Sequence, residues 1–120
     1  MRQLKKKYTV TETQSAQKMG SGSLLVLATP SAIAMAENTC MDLSAPLIKE
    51  GETTVGTAIE FKHLKASLIG ADIEVSAVID NQEEKKIDFS FDMYDNQKLI
   101  GTGKHTRYIV KIESFLSHIE

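Results

Sequence analysis

The chain has 120 residues, long enough for one domain with a real core, and its 42% hydrophobic and 25% charged content is that of an ordinary globular protein. A net charge of −2, with one short basic run at Lys5, Lys6 and Lys7, argues against nucleic-acid and anionic-membrane partners. A lone cysteine, Cys40, can form no internal disulfide, which suits a reducing compartment and predicts a cytoplasmic protein.

The first predicted element is a strand over residues 5–13, "KKKYTVTET", with Tyr8 and Val10 on one face. Residues 19–23, "MGSGS", read as a flexible break. The apolar run "SLLVLATPSAIAMA" over 23–36 ends in a mimic of a signal-peptidase site. However, it follows a long polar stretch and is interrupted by Thr29 and Pro30, whereas a secretory signal sets its charged region directly before the apolar one. It is also too short to span a bilayer. Thr29 and Pro30 instead mark a helix start, with threonine as N-cap and proline in the first turn. The helix is expected to run to Pro46.

Four extended stretches follow, at 54–67, 71–80, 86–95 and 98–112. The second alternates Ile73, Val75, Ala77 and Ile79 with polar residues, and the third alternates Ile87, Phe89, Phe91 and Met93 in the same way. Such period-2 patterns predict an antiparallel sheet with one wet face, and "DNQEE" at 80–84 and "DNQ" at 95–97 read as its hairpin turns. The predicted fold class is α+β. The single helix must bury its apolar stripe against the sheet, and its alanines (Ala32, Ala34 and Ala36) permit a close fit.

Two ionisable residues break the pattern. At about 100° per residue, Ile33, Ala36, Cys40 and Leu43 form the helix stripe, with Asn38 and Asp42 opposite, yet Glu37 falls within the stripe. In the first long strand, Val55, Ile59 and Phe61 share a face with His63. An unpaired buried carboxylate is costly, so Glu37 calls for a partner, and His63 is one candidate for general acid–base work. Each residue also has a simpler reading. His63 fits a satisfied core histidine, Thr29 an N-cap, Gly56 a strand bulge, Arg107 a surface ion pair and Cys40 a packed thiol.

Three segments together carry a family resemblance: "VLATPSAIAMAE" (26–37), "TVGTAIEFKHLKAS" (54–67) and "IGTGKHTRYIV" (100–110). In order and in register they resemble the hotdog-fold thioesterases, most closely the fluoroacetyl-CoA thioesterase group. The resemblance implies a hotdog domain over residues 1–120, one long helix wrapped by a five-stranded antiparallel sheet. It implies hydrolysis of an acyl-CoA thioester to free acid and CoA. Thr29, Glu37 and His63 match the catalytic threonine, glutamate and histidine. Gly56 matches the glycine whose N–H lies near the thioester carbonyl, and Arg107 an arginine that binds substrate, expected at the CoA phosphates.

It implies a homodimer with sites between subunits, so His63 would meet a carboxylate within one chain or across the dimer. No metal and no cofactor beyond the CoA of the substrate are expected. Gly56 and His63 are seven residues apart, which on a regular strand puts them on opposite faces and leaves the glycine to act through its backbone. No aromatic residue lies between Tyr8 and Phe61, so a ring to gate a very small acyl group is lacking, and other short acyl-CoA species are the expected substrates. The alternatives are a non-catalytic acyl-CoA-binding hotdog protein, a hotdog hydratase, whose aspartate–histidine motif is absent, and a structural dimer.

Overall fold

A computed structural model describes residues 2–119. The strands are β1 (Gln3–Thr9), β2 (Glu52–His63), β3 (Asp72–Glu83), β4 (Lys86–Asp95) and β5 (Lys98–Lys111); the helices are α1 (Ala16–Met19), α2 (Thr29–Ser44) and α3 (Ile112–Ser117). The strands form one antiparallel sheet in the order β1-β3-β4-β5-β2, so β1 and β2 are its edges. The helix α2 lies across the inner face and touches all five strands. This is the expected hotdog arrangement. No helix among the described residues is long and apolar enough to cross a membrane.

The alternating residues of β3 and β4 meet the helix as their period requires. Ile73, Val75, Ala77, Ile87, Phe89, Phe91 and Met93 are buried against Ala32, Met35, Ala36, Cys40 and Leu43. Each large apolar side chain so buried contributes about 1.5–3 kcal/mol. The true stripe is rotated from the one expected. Ile33 is only half-buried, Ala34 is exposed, and Ala32 and Ala36 are the alanines that admit the sheet. Asn38 and Asp42 do not face solvent opposite the stripe: Lys6 Nζ donates to Asn38 Oδ1 at 2.6 Å and pairs with Asp42, and the Tyr8 hydroxyl donates to Asn38 Oδ1 at 2.7 Å. These bonds fasten the edge strand β1 to α2.

Several boundaries differ from the sequence reading for identifiable reasons. The strand β1 ends at Thr9 because Thr11 and Gln14 form a capping box that opens a 3-10 turn. The stretch "MGSGS" does not begin a loose linker: Gly20, at φ 76°, closes α1, which Ser15 caps by accepting from the Lys18 N–H. The strand β3 continues to Glu83 through a register shift at Asp80, so the turn signal at 80–84 marks a bulge followed by a tight turn with Glu84 at φ 55°. The turn expected at 95–97 is present, with Asn96 at φ 50° and Gln97 at φ 70°.

Candidate active site

The strand β5 sets the frame of the site. Its residues Gly101, Gly103, His105, Arg107 and Ile109 alternate onto the inner face of the sheet. The two glycines are small because β2 crowds them. A Cβ at Gly101 would stand 2.6 Å from the Phe61 ring, and one at Gly103 would collide with the Glu60 backbone carbonyl. The space they leave admits Phe61, which stacks on Phe91 at 5.9 Å and lies 5.6 Å from the His63 ring.

Along β2, Gly56 pairs with Arg107, but Ala58 pairs with Thr106, so Thr57 is an extra residue. This bulge overturns the expectation that Gly56 and His63 lie on opposite faces. Thr54 and Gly56 face inward before the bulge, and Ile59, Phe61 and His63 face inward after it, as their partners Ile109, Arg107, His105, Gly103 and Gly101 require. Val55 accordingly leaves the face it was expected to share, and Thr54, 6% exposed, takes the buried place.

The site residues fall into two clusters. In the first, Thr29 Oγ1 lies 2.8 Å from His63 Nδ1. The N-cap position of α2 is Ala28, not Thr29, and no side chain caps it. The threonine hydroxyl is therefore released from capping and joined to the histidine. His63 Nε2 is buried with no hydrogen-bond partner among the described residues. Burial lowers the His63 pKa and outweighs an opposing backbone contact with Lys65, so the ring is a neutral base near neutral pH. A cavity of about 340 Å³ adjoins this pair, lined in part by Leu27, Thr29, His63, Leu64 and Ala66.

In the second cluster, Glu37 stands beside His105, with Oε2 4.0 Å from Nε2. A Cβ at Gly56 would lie 3.0 Å from His105 Cε1, 3.3 Å from Glu37 Oε2 and 3.4 Å from Arg107 Nη1. The bare backbone of Gly56 thus forms the floor on which the three groups converge. Arg107 is 8% exposed and turned inward: Nε donates to Thr54 Oγ1 at 2.8 Å, Nη2 to the Thr54 carbonyl at 2.9 Å, and Nη1 to His105 Nε2 at 3.1 Å. It is not a surface ion pair: Thr54 and His105 enclose its guanidinium. Burial lowers its pKa, and the Glu37 charge opposes that shift.

Glu37 and His63 do not meet within one chain, since no His63–carboxylate contact falls within 4.0 Å among the described residues; the histidine beside Glu37 is His105. Sequence reasoning passed over His105, although its period-2 spacing from Arg107 and Ile109 would have placed it on the buried face. Cys40 is fully buried and its thiol is pushed up to about 12 by burial, so it is not a nucleophile at neutral pH.

A family model described as fluoroacetyl-CoA-specific thioesterase matches residues 10–113. The chain is 30% identical over 90 residues to a fluoroacetyl-CoA thioesterase from Streptantibioticus cattleyicolor; the match takes in 75% of this chain and 65% of that protein's length. Among solved structures, a single-site mutant of a fluoroacetyl-CoA-specific thioesterase superposes with a TM-score of 0.92 at 23% identity, covering 98% of this chain and 91% of the other. A hot-dog-like protein from Thermanaerovibrio acidaminovorans superposes with a TM-score of 0.88 at 15% identity, covering 98% and 87%. These structures share the fold, and the family match extends over most of the sequence: the chain belongs to the fluoroacetyl-CoA-specific thioesterase family.

Proposed function

We propose that the protein hydrolyses short-chain acyl-CoA thioesters to the free acid and CoA, as a cytoplasmic homodimer. Family membership supports the reaction class, and one observation carries the assignment to residues. Thr29 and His63 form a bonded pair beside a cavity, with His63 Nε2 buried and unsatisfied, while a carboxylate, Glu37, lies against the bare Gly56 backbone. A neutral imidazole with a free nitrogen and a hydroxyl on the other serves proton transfer. The glycine leaves room for a thioester carbonyl to approach backbone donors.

The incoming oxygen bonds to the acyl carbon, the C–S bond breaks, and the thiolate leaves with a proton delivered through His63. Glu37 either takes a proton from the attacking water or attacks the acyl carbon itself, in which case water then opens the acyl–Glu37 anhydride, releasing the acid and restoring the carboxylate. Single-turnover hydrolysis in oxygen-18 water tests the covalent course: label in Glu37 requires an acyl–Glu37 anhydride that water opens at the glutamyl carbonyl. Arg107 acts from behind Glu37 and Gly56 and does not touch the CoA phosphates. No metal or cofactor enters the reaction.

The two clusters of one chain lie apart, which favours a dimer that brings Glu37 of one subunit toward His63 of the other. The strand β2, 12 residues long and at the sheet edge, offers the unpaired backbone for that contact. The segment leading into α2 exposes Leu24 and Leu25 and holds no aromatic ring, which supports unfluorinated short acyl groups over selective use of fluoroacetyl-CoA. A thiol-release assay over a panel of short acyl-CoAs, fluoroacetyl-CoA included, tests the reading. Release above the uncatalysed rate is expected for several members. Binding without release on every member would leave a non-catalytic acyl-CoA-binding protein.

A further inference from the structure

We propose that His105 is a positioning residue whose unprotonated Nε2 holds the Arg107 guanidinium back from Glu37, leaving that carboxylate free for the thioester. The inference rests on the hydrolytic reading through Glu37. It starts from the two bonds of one buried ring, which is 2% exposed.

His105 Nδ1 lies 2.7 Å from the Ala58 carbonyl, and Nε2 lies 3.1 Å from Arg107 Nη1. A carbonyl only accepts, so Nδ1 carries the proton; a guanidinium only donates, so Nε2 is the bare nitrogen. One neutral tautomer satisfies both neighbours. A charged ring would set an N–H against the N–H of a cation. The groups facing the ring from each packed element agree with this: Arg107 on β5, the Ala58 carbonyl on β2, the Phe89 ring on β4 stacked at 6.1 Å, and on α2 the Glu37 carboxylate, the one anion beside it among the described residues. Burial favours the neutral form most; the Ala58 bond opposes it, Arg107 supports it, and Glu37 opposes it least.

The ring also bonds one of two groups that attract each other and stands close to the second. Nε2 is 3.1 Å from the guanidinium and 4.0 Å from the Glu37 carboxylate. Arg107 has no direct carboxylate contact within 4.0 Å among the described residues, although a buried cation strongly favours one. Thr54 takes two of its donors and His105 a third. Without the acceptor at Nε2, Nη1 is free to turn to Glu37, whose charge already acts on the guanidinium and whose Oε2 shares with Nη1 the space over Gly56. A direct pair would pin the carboxylate that the reaction needs.

Three substitutions separate these roles. His105→Asn keeps a donor at the Nδ1 position and loses the acceptor at the reach of Nε2. His105→Gln places an acceptor near Nε2, and His105→Ala has neither. With the acyl-CoA panel, kcat is expected to fall roughly 100-fold in the Asn and Ala variants while KM stays within about threefold, and the Gln variant recovers most of the loss. A folded Asn variant with wild-type turnover overturns the proposal, as does a Gln variant no better than Asn.

If the variants do not fold, the imidazole nitrogen-15 spectrum of the wild-type protein decides. A neutral His105 protonated at Nδ1 supports the proposal; one protonated at Nε2, or charged at neutral pH, refutes it. Wild-type protein that releases no thiol from any substrate would defeat the hydrolytic reading instead, and the same spectrum would still report the bond between His105 and Arg107.

Discussion

His63 and His105 are both held below the ordinary imidazole range, chiefly by burial, and this has a consequence for stability. A histidine with a depressed pKa in the folded state binds protons more readily when unfolded. Stability is therefore full above the unfolded value of about 6.5 and is lost as pH falls through it toward the folded value. The melting temperature is expected to drop between pH 7.5 and pH 5.5, and His105→Gln to flatten that slope. Calorimetry across the range checks this, and a wild-type melting temperature that rises on acidification contradicts it. Thr29 gives a second test at this scale. Its hydroxyl meets His63 and does not cap α2, so Thr29→Ala is expected to change stability by less than about 0.5 kcal/mol. Its turnover is expected to fall roughly 100-fold, with Thr29→Ser close to wild type. A loss of stability matching the loss of activity would return Thr29 to a structural role.

At the level of elements, the contact between β2 and β5 depends on two glycines that differ in what they oppose. A methyl at Gly103 meets the Glu60 backbone, which cannot move without breaking the ladder, whereas one at Gly101 meets the Phe61 ring, which can turn. Gly103→Ala is expected to cost about 3 kcal/mol or more in urea unfolding and Gly101→Ala about 1–2 kcal/mol; the reverse order would contradict this packing. At the other edge, Tyr8 ties β1 to α2 through Asn38 and Thr39. Tyr8→Phe is expected to cost about 1 kcal/mol and leave turnover unchanged, because the Tyr8 hydroxyl bonds to no residue of either cluster. The half-buried Lys6–Asp42 pair beside it is screened by solvent and adds less than the Tyr8 network.

For the whole molecule, the separation of the two clusters gives the dimer proposal a direct test. If Glu37 of one subunit serves His63 of the other, co-refolded His63→Ala and Glu37→Ala chains regenerate one intact site in each mixed dimer. Random mixing makes half the dimers mixed, so activity is expected to return to about a quarter of wild type. Two inactive variants that stay inactive when mixed would place both groups of a site in one chain. Sedimentation of the wild-type protein as a monomer would remove the dimer altogether.

The order of strands and helix, the antiparallel sheet and the inner faces of β3 and β4 were legible in the sequence, because alternation and turn residues are local signals. Glu37 was legible as a carboxylate out of place on a helix. The bulge at Thr57 was not, since it arises from how β2 must meet β5, and it alone decides that Gly56 and His63 share a face. The choice between capping and partnering for the Thr29 hydroxyl was equally hidden: both uses suit threonine, and only the arrival of the end of β2 at the start of α2 selects one. Arg107 carries the same lesson. Its charge suggested the surface, but Thr54 and His105, distant in sequence or unmarked by it, satisfy its donors and allow it to be buried. Local periodicity determined the elements, and long-range pairing decided which side chains those elements bring together.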